Sequence, residues 1–187
     1  TKTITIEIDE DLVPERDETF VVTLTSASDG AVIEQPTATS IIRNDDHVDA
    51  GDLPAPFATL IADNGPTHLA VGPALGALRD VEADGQPTAD ADGDDTNGDD
   101  DEDGIQFAGL NIGALAAEVS VAVTEDALLD AWIYFNVDGS FNGANEQIFR
   151  SEPVSTGNNL LYFQIPADAT VQNTFARFRV STAGGLT

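Results

Sequence analysis

Ala131-Trp132-Ile133-Tyr134-Phe135-Asn136-Val137-Asp138-Gly139 is the stretch that decides the fold. A run rich in aromatic and β-branched side chains meets a polar turn signal ending in Gly, which is how a strand enters a turn. Alternation places Trp132 and Tyr134 on one face and Ile133 and Phe135 on the other, and one face must be core. Working outward, Val119, Val121 and Val123 alternate with small or polar residues. Leu160 to Ile165 (LLYFQI) and Phe175 to Val180 (FARFRV) read as further strands. No segment carries a convincing helical period. Closely spaced strands with turn residues between them predict an all-β chain, an antiparallel β-sandwich of immunoglobulin-like or jelly-roll-like kind.

Towards the N-terminus the pattern repeats more weakly. Ile4, Ile6 and Ile8 alternate with Thr3, Thr5 and Glu7, and Thr19–Thr25 and Thr37–Arg43 follow as strand candidates. Three strands make a poor domain by themselves, so this part reads as a partial β-sandwich. Residues 47–60 are a Pro/Gly/Asp-rich junction, and the small apolar stretch 61–79 receives no assignment. The expected division is therefore 1–47 for the partial sandwich and 48–187 for the main one, with an acidic loop at 80–104.

That loop is the second informative stretch. Asp80 to Asp103 reads DVEADGQPTADADGDDTNGDDDED, in which half of the residues are Asp or Glu and none is Lys or Arg. Like charges a few ångströms apart repel by several kcal/mol where the dielectric is low. Such a stretch is either a solvated linker or is held by a hard cation. Calcium takes six to eight oxygens from carboxylates, amide carbonyls, backbone and water. Asp99, Asp101, Asp103 and Gly104 form a D-x-D-x-D-G run that wraps alternate side chains around one ion. An EF-hand needs Glu at the twelfth position, which is Leu110 here, so the run is not an EF-hand. Asp92, Asp94 and Asp95, together with Glu82 and Asp84, supply a second set, and Glu102 adds a carboxylate to the first. Asn136 and Asp138 are placed to close either set from across the sandwich. Magnesium keeps its waters and suits such a cage poorly. Zinc is disfavoured by two histidines and no cysteine. The expected cofactor is Ca2+.

The bulk numbers agree. The 187 residues carry 34 acidic and 7 basic side chains, a net charge of −27, which argues against nucleic acid and anionic membranes as partners. A 41% hydrophobic content is enough for a core. Without cysteine there are no disulfides, and small extracellular modules lacking them often use calcium. No apolar run approaches ~18 residues, so membrane insertion is not expected. The absence of Met and of a signal segment reads as an internal piece of a longer protein, its targeting signal elsewhere.

Two resemblances sharpen these expectations. Residues 1–46 resemble the C-terminal half of a Calx-beta domain, through Glu15-Arg16-Asp17-Glu18-Thr19-Phe20, the following Val-Val-Thr-Leu, and Ile41-Ile42-Arg43-Asn44-Asp45-Asp46. The resemblance implies a β-sandwich with calcium ligands at one end, here Glu15, Asp17 or Glu18, with Asp45 and Asp46. Residues 49–182 resemble the GEVED domain of large bacterial surface and secreted proteins. The carriers include Gly51-Asp52-Leu53-Pro54, Asp63-Asn64-Gly65, Asp101-Glu102-Asp103-Gly104, Trp132 to Gly139 and Ala176-Arg177-Phe178-Arg179. The family usually has Asp at Tyr134 and Tyr at Phe57, and its Gly-Glu-Val-Glu-Asp run would fall after Thr187. The resemblance implies a non-catalytic, calcium-binding sandwich.

No G-x-S-x-G, cysteine nucleophile or Ser/His/Asp grouping points to catalysis, so the chain is not expected to be an enzyme. The expected function is a structural or adhesive module of a secreted or cell-surface protein, in a stalk, adhesin, sheath or filament. Its partners are neighbouring domains or subunits of that protein. The alternative is a carbohydrate-binding module attached to a secreted enzyme, with Trp132 and Tyr134 stacking on a polysaccharide. His68 is expected to be a packed or capping histidine, and Arg177 and Arg179, which share a face, to pair with acids internally.

Overall fold

A computed structural model describes residues 3–9, 17–43, 48–79, 81–93, 102–170 and 173–187. The sandwich lies in the C-terminal part. Its first sheet has the order β5-β6-β9, with β5 Ile105–Phe107, β6 Ala117–Val123 and β9 Gly157–Phe163. The second has the order β10-β7-β8, with β7 Ala127–Ile133, β8 Gln147–Val154 and β10 Ala176–Ser181. All described ladders are antiparallel. The chain crosses between the sheets after β6, β8 and β9, which is why consecutive strands do not simply meander in one sheet.

The core sits between the sheets. Val119 and Val121 from β6 and Phe163 from β9 meet Leu129, Ala131 and Ile133 from β7, Phe149 from β8 and Val180 from β10. Burying one such side chain is worth roughly 1.5–3 kcal/mol. On β6 the period is clean: Val119 and Val121 are fully buried while Glu118 and Ser120 are half-buried. On β7 it is not, because Asp130 and Trp132 on the opposite face are buried as well. A register irregularity between β7 and β8 falls at Leu129–Trp132.

Residues 48–93 explain the second buried face. β3 (Val48–Ala50) and β4 (Thr67–Leu69) form a two-stranded ladder, and the Glu82 amide bonds the Val48 carbonyl. This segment lies over the outer face of the β10-β7-β8 sheet. Arg177 Nη2 donates to the Ala58 carbonyl at 3.1 Å, and Arg179 Nε to His68 Nε2 at 2.9 Å. The Phe57 ring packs edge-on to Tyr134 at 5.0 Å and stacks on Phe141 at 4.7 Å. Here the backbone approaches itself closely. A Cβ on Gly85 would lie 2.4 Å from the Thr59 carbonyl oxygen, so only glycine fits.

The N-terminal part is a hairpin, β1 (Glu18–Thr23) with β2 (Thr37–Ile42), in register Phe20↔Ser40. Its strand positions are exposed or half-buried throughout. The strand expected over Ile4–Ile8 does not form. Residues 3–9 are extended without a ladder, and Ile4, Ile6 and Ile8 are 62%, 48% and 56% exposed. A period-2 pattern makes a strand only where another strand and an apolar surface receive it. Four strands escaped the sequence reading: β3, β4, β5 and β8. The first three have three residues each, too short to show a period. In β8 the pattern is interrupted by Arg150, Glu152 and Pro153.

Candidate functional site

The described ends of the acidic stretch are tied to the folded body by carboxylates that accept main-chain N–H groups. Glu82 Oε2 accepts from the Ala50 amide at 3.1 Å. Asp84 Oδ1 accepts from Ile61 at 2.7 Å and Gly85 at 2.9 Å, which caps the one-turn 3-10 helix Ile61–Asp63. Asp92 closes a small loop with the Thr88 hydroxyl at 2.7 Å. Asp52, which sequence reasoning did not select as a ligand, is buried and accepts from Gly93 at 3.0 Å. On the far side, Asp103 Oδ1 accepts from Ala77 at 3.0 Å. These five carboxylates carry structural work of their own; a charge-assisted hydrogen bond contributes about 1.5–3 kcal/mol where it is buried, as at Asp52, and less at the exposed Asp92 and Asp103.

Of the other expected ligands, Asp94, Asp95, Asp99 and Asp101 lie outside the described residues, as do Glu15, Asp45 and Asp46. Glu102 is described in its backbone only, in the 3-10 turn Glu102–Gly104. Asp17 pairs with Arg43 at 3.4 Å on the exposed hairpin, and Glu18 opens β1. Among the described residues no three His, Asp or Glu side chains converge as a metal would require.

Asn136 and Asp138 sit in the turn after β7. They bond each other, Asn136 Nδ2 to Asp138 Oδ2 at 3.0 Å, and Asp138 Oδ1 accepts from the Ser140 amide at 2.9 Å. The Tyr134 hydroxyl takes the Gly139 amide at 2.6 Å. Behind the turn lies Glu146, fully buried. Its two oxygens accept from Phe135 at 2.9 Å and Gly143 at 2.8 Å. The turn is thus held by side-chain oxygens, and the Tyr134 oxygen stands where the GEVED resemblance implies a carboxylate.

Trp132 and Tyr134 are 7% and 8% exposed. Sugar stacking needs an open ring face, and residues 48–93 cover this one. That cover was not legible in the sequence, because 61–79 shows no period.

The basic residues form the other grouping. Arg79, Arg177, Arg179 and His68 line one cavity of about 850 Å3. Burial, followed by the Arg179 and Arg79 charges, lowers the His68 pKa to about 4. The imidazole is therefore neutral at pH 7 and its Nε2 is free to accept from Arg179. Burial, then the Arg179 charge, lowers Arg177 to about 10. Burial also lowers Arg179, while Asp130 and Asp49 act in the opposite sense. Arg179 further donates to the Thr187 carbonyl at 2.7 Å. Pairing with acids is the expectation from sequence; the Asp130 and Asp49 charges act on Arg179, while the hydrogen bonds described for the two arginines go to His68 Nε2 and to the main-chain oxygens of Ala58, Thr67 and Thr187. Asp130 lies directly across from Arg179 on β7 and is fully buried. It accepts instead from the Ser151 amide at 2.9 Å and the Leu186 amide at 3.1 Å. A lone acid inside the apolar run LLDAWIYF was the available signal for this residue.

Fold and site together define an all-β antiparallel sandwich whose loops are fastened by carboxylates, from the buried Asp52 and Glu146 to the exposed Asp103. Residues 128–187, from the second position of β7 to Thr187, match the family model of the GEVED domain. No match was found among curated proteins or among solved structures.

Proposed function

We propose that this chain is a non-catalytic, calcium-stabilised structural or adhesive module of a secreted or cell-surface protein. The observation that carries the reading is the anchoring of the acidic stretch. Gly93 is held by Asp52 on one side and Asp103 holds Ala77 on the other. Asp94, Asp95, Asp99 and Asp101 are carried between these two fixed ends. Fastening the ends in advance removes part of the entropy cost of gathering ligands around an ion. The other ligands in this reading are Glu82, Asp84, Asp92, Glu102, Asp103, Asn136 and Asp138, and the Calx-beta-like part would contribute Glu15, Asp17 or Glu18, Asp45 and Asp46. The bacterial surface setting follows from the same resemblances.

The mechanism is linkage. An ion that binds only the folded chain stabilises it by RT ln(1 + [Ca]/Kd), about 2.7 kcal/mol at a hundredfold excess over Kd. Extracellular sites with Kd on the order of 0.1–1 mM fill outside the cell and empty in the cytosol. The module then stiffens after export.

Thermal unfolding at millimolar calcium, at millimolar magnesium and in EDTA tests this. The expected result is a rise in Tm of several degrees that calcium produces and magnesium does not. Identical melting in all three conditions would remove calcium from the function.

A further inference from the structure

The cavity lined by the three arginines has a shape that identifies what it receives. Its wall takes in nine residues in succession, Thr174 to Thr182, which is all of β10 and its flanks. A cavity against one face of a strand touches alternate residues. One that touches every residue runs along the strand's edge. β10 is the last strand of its sheet, with β7 on one side and no strand on the other among the described residues. Across the slot stand Ile105 and Phe107 of β5, the edge of the facing sheet. A strand residue occupies about 4.8 by 10 by 3.3 Å, roughly 160 Å3. The slot's 850 Å3 therefore holds about five residues, close to the six of β10.

Its chemistry alternates. One face of β10 offers Arg177 and Arg179, and the other offers Phe178 and Val180 to the core. Three of the chain's seven Lys and Arg line this slot together with Asp49 and Asp52, in a molecule of net charge −27. A strand seated here needs carboxylates two residues apart on one face and apolar side chains on the other.

Residues 3–9 carry that pattern. Glu7 and Asp9 share one face at a spacing of two, and Ile4, Ile6 and Ile8 share the other. The segment is exposed and lies in no described ladder. We infer that the slot along β10 receives residues 3–9 of a second copy of this chain as an added strand. Glu7 and Asp9 then face Arg177 and Arg179, while Ile6 and Ile8 extend the apolar face beyond Phe178 and Val180. Main-chain pairing supplies affinity and the alternating side chains supply register. Donor segment and acceptor slot are different surfaces, so the contact is head-to-tail and builds a ring or an open chain of subunits. At physiological ionic strength, repulsion between the two acidic molecules is screened beyond about 8 Å, whereas the paired charges are in contact.

The test is sedimentation velocity of the whole chain from micromolar to millimolar concentration at physiological salt. The expected result is growth beyond a dimer as concentration rises. A synthetic peptide of residues 3–9 should compete and return the chain to monomers. Glu7→Lys with Asp9→Lys changes exposed residues only, leaves melting unchanged, and should weaken association by about tenfold, which is 1.4 kcal/mol. Arg177→Glu with Arg179→Glu should bind wild-type peptide poorly and the Lys-substituted peptide well. That last arm reads the slot even if the arginine variant is less stable. A chain that stays monomeric throughout overturns the inference. So does association that ignores the Glu7 and Asp9 substitutions. Equal competition by an unrelated acidic–apolar peptide would leave the slot as a strand site and remove the second copy as its occupant.

Discussion

The hairpin at residues 18–42 and the sandwich at 105–181 are written in the same alternating code, and the structure treats them differently. In the sandwich, the apolar set of β6 meets that of β7, and Val119, Val121, Leu129 and Ala131 reach zero exposure. In the hairpin the ladder is complete from Glu18↔Ile42 to Thr23↔Thr37, yet Val21 and Ile41 remain 58% and 52% exposed. Pairing and burial are therefore separable. Hydrogen bonding makes a two-stranded ladder, but a core needs a second layer. The segment 3–9 goes one step further, having the alternation without even the ladder.

The largest effect that sharpens this contrast comes from cavity formation. Leu129→Ala should lower the unfolding free energy by about 4 kcal/mol, and Val21→Ala on the hairpin by no more than about 0.5 kcal/mol. Urea denaturation of both variants reads the difference, and similar losses would mean that the hairpin is packed as tightly as the sandwich. Next comes Glu146→Ala, which leaves the Phe135 and Gly143 amides without their acceptor and should cost about 3 kcal/mol. The same change at half-buried Asp84, where water can replace the lost oxygen, should cost about 1 kcal/mol. Equal costs would show that the turn after β7 is as open to water as the covering segment.

The smallest is a pH effect confined to the sandwich side. His68 has a folded pKa of about 4 against 6.5 when unfolded. Between these values the unfolded chain binds the extra proton, so stability rises with pH across that window and is lost on acidification towards 4. Allowing for the residual exposure of His68, the amplitude should be about 2 kcal/mol. His68→Gln should remove that part of the slope. A variant with an unchanged slope would assign it to carboxylates instead.

Strands β6 and β9 were legible because they are long and regular, whereas β8, longer still, was hidden by Arg150, Glu152 and Pro153. β6 and β9 span seven residues each, and their period survives single interruptions. β3, β4 and β5 were not legible, because three residues carry no period. For the candidate site, the density of carboxylates was visible at once. Invisible was the use to which Glu82, Asp84 and Asp103 are put, since main-chain donors twenty or more residues away leave no mark in local sequence. Asp52 and Asp130 were passed over for the same reason.

By itself, then, the sequence determined the all-β class, the antiparallel sandwich and the acidic character of the 80–104 stretch. Local alternation and charge density are properties of neighbours along the chain, and they need no tertiary information. Only the tertiary structure decided that both faces of β7 are buried, that Trp132 and Tyr134 are closed off, and that Arg79, Arg177, Arg179 and His68 line one cavity beside β10. Each of those depends on residues 48–93 folding over a sheet whose first strand begins only at Ala127, an encounter set by packing and long-range hydrogen bonds rather than by any local period.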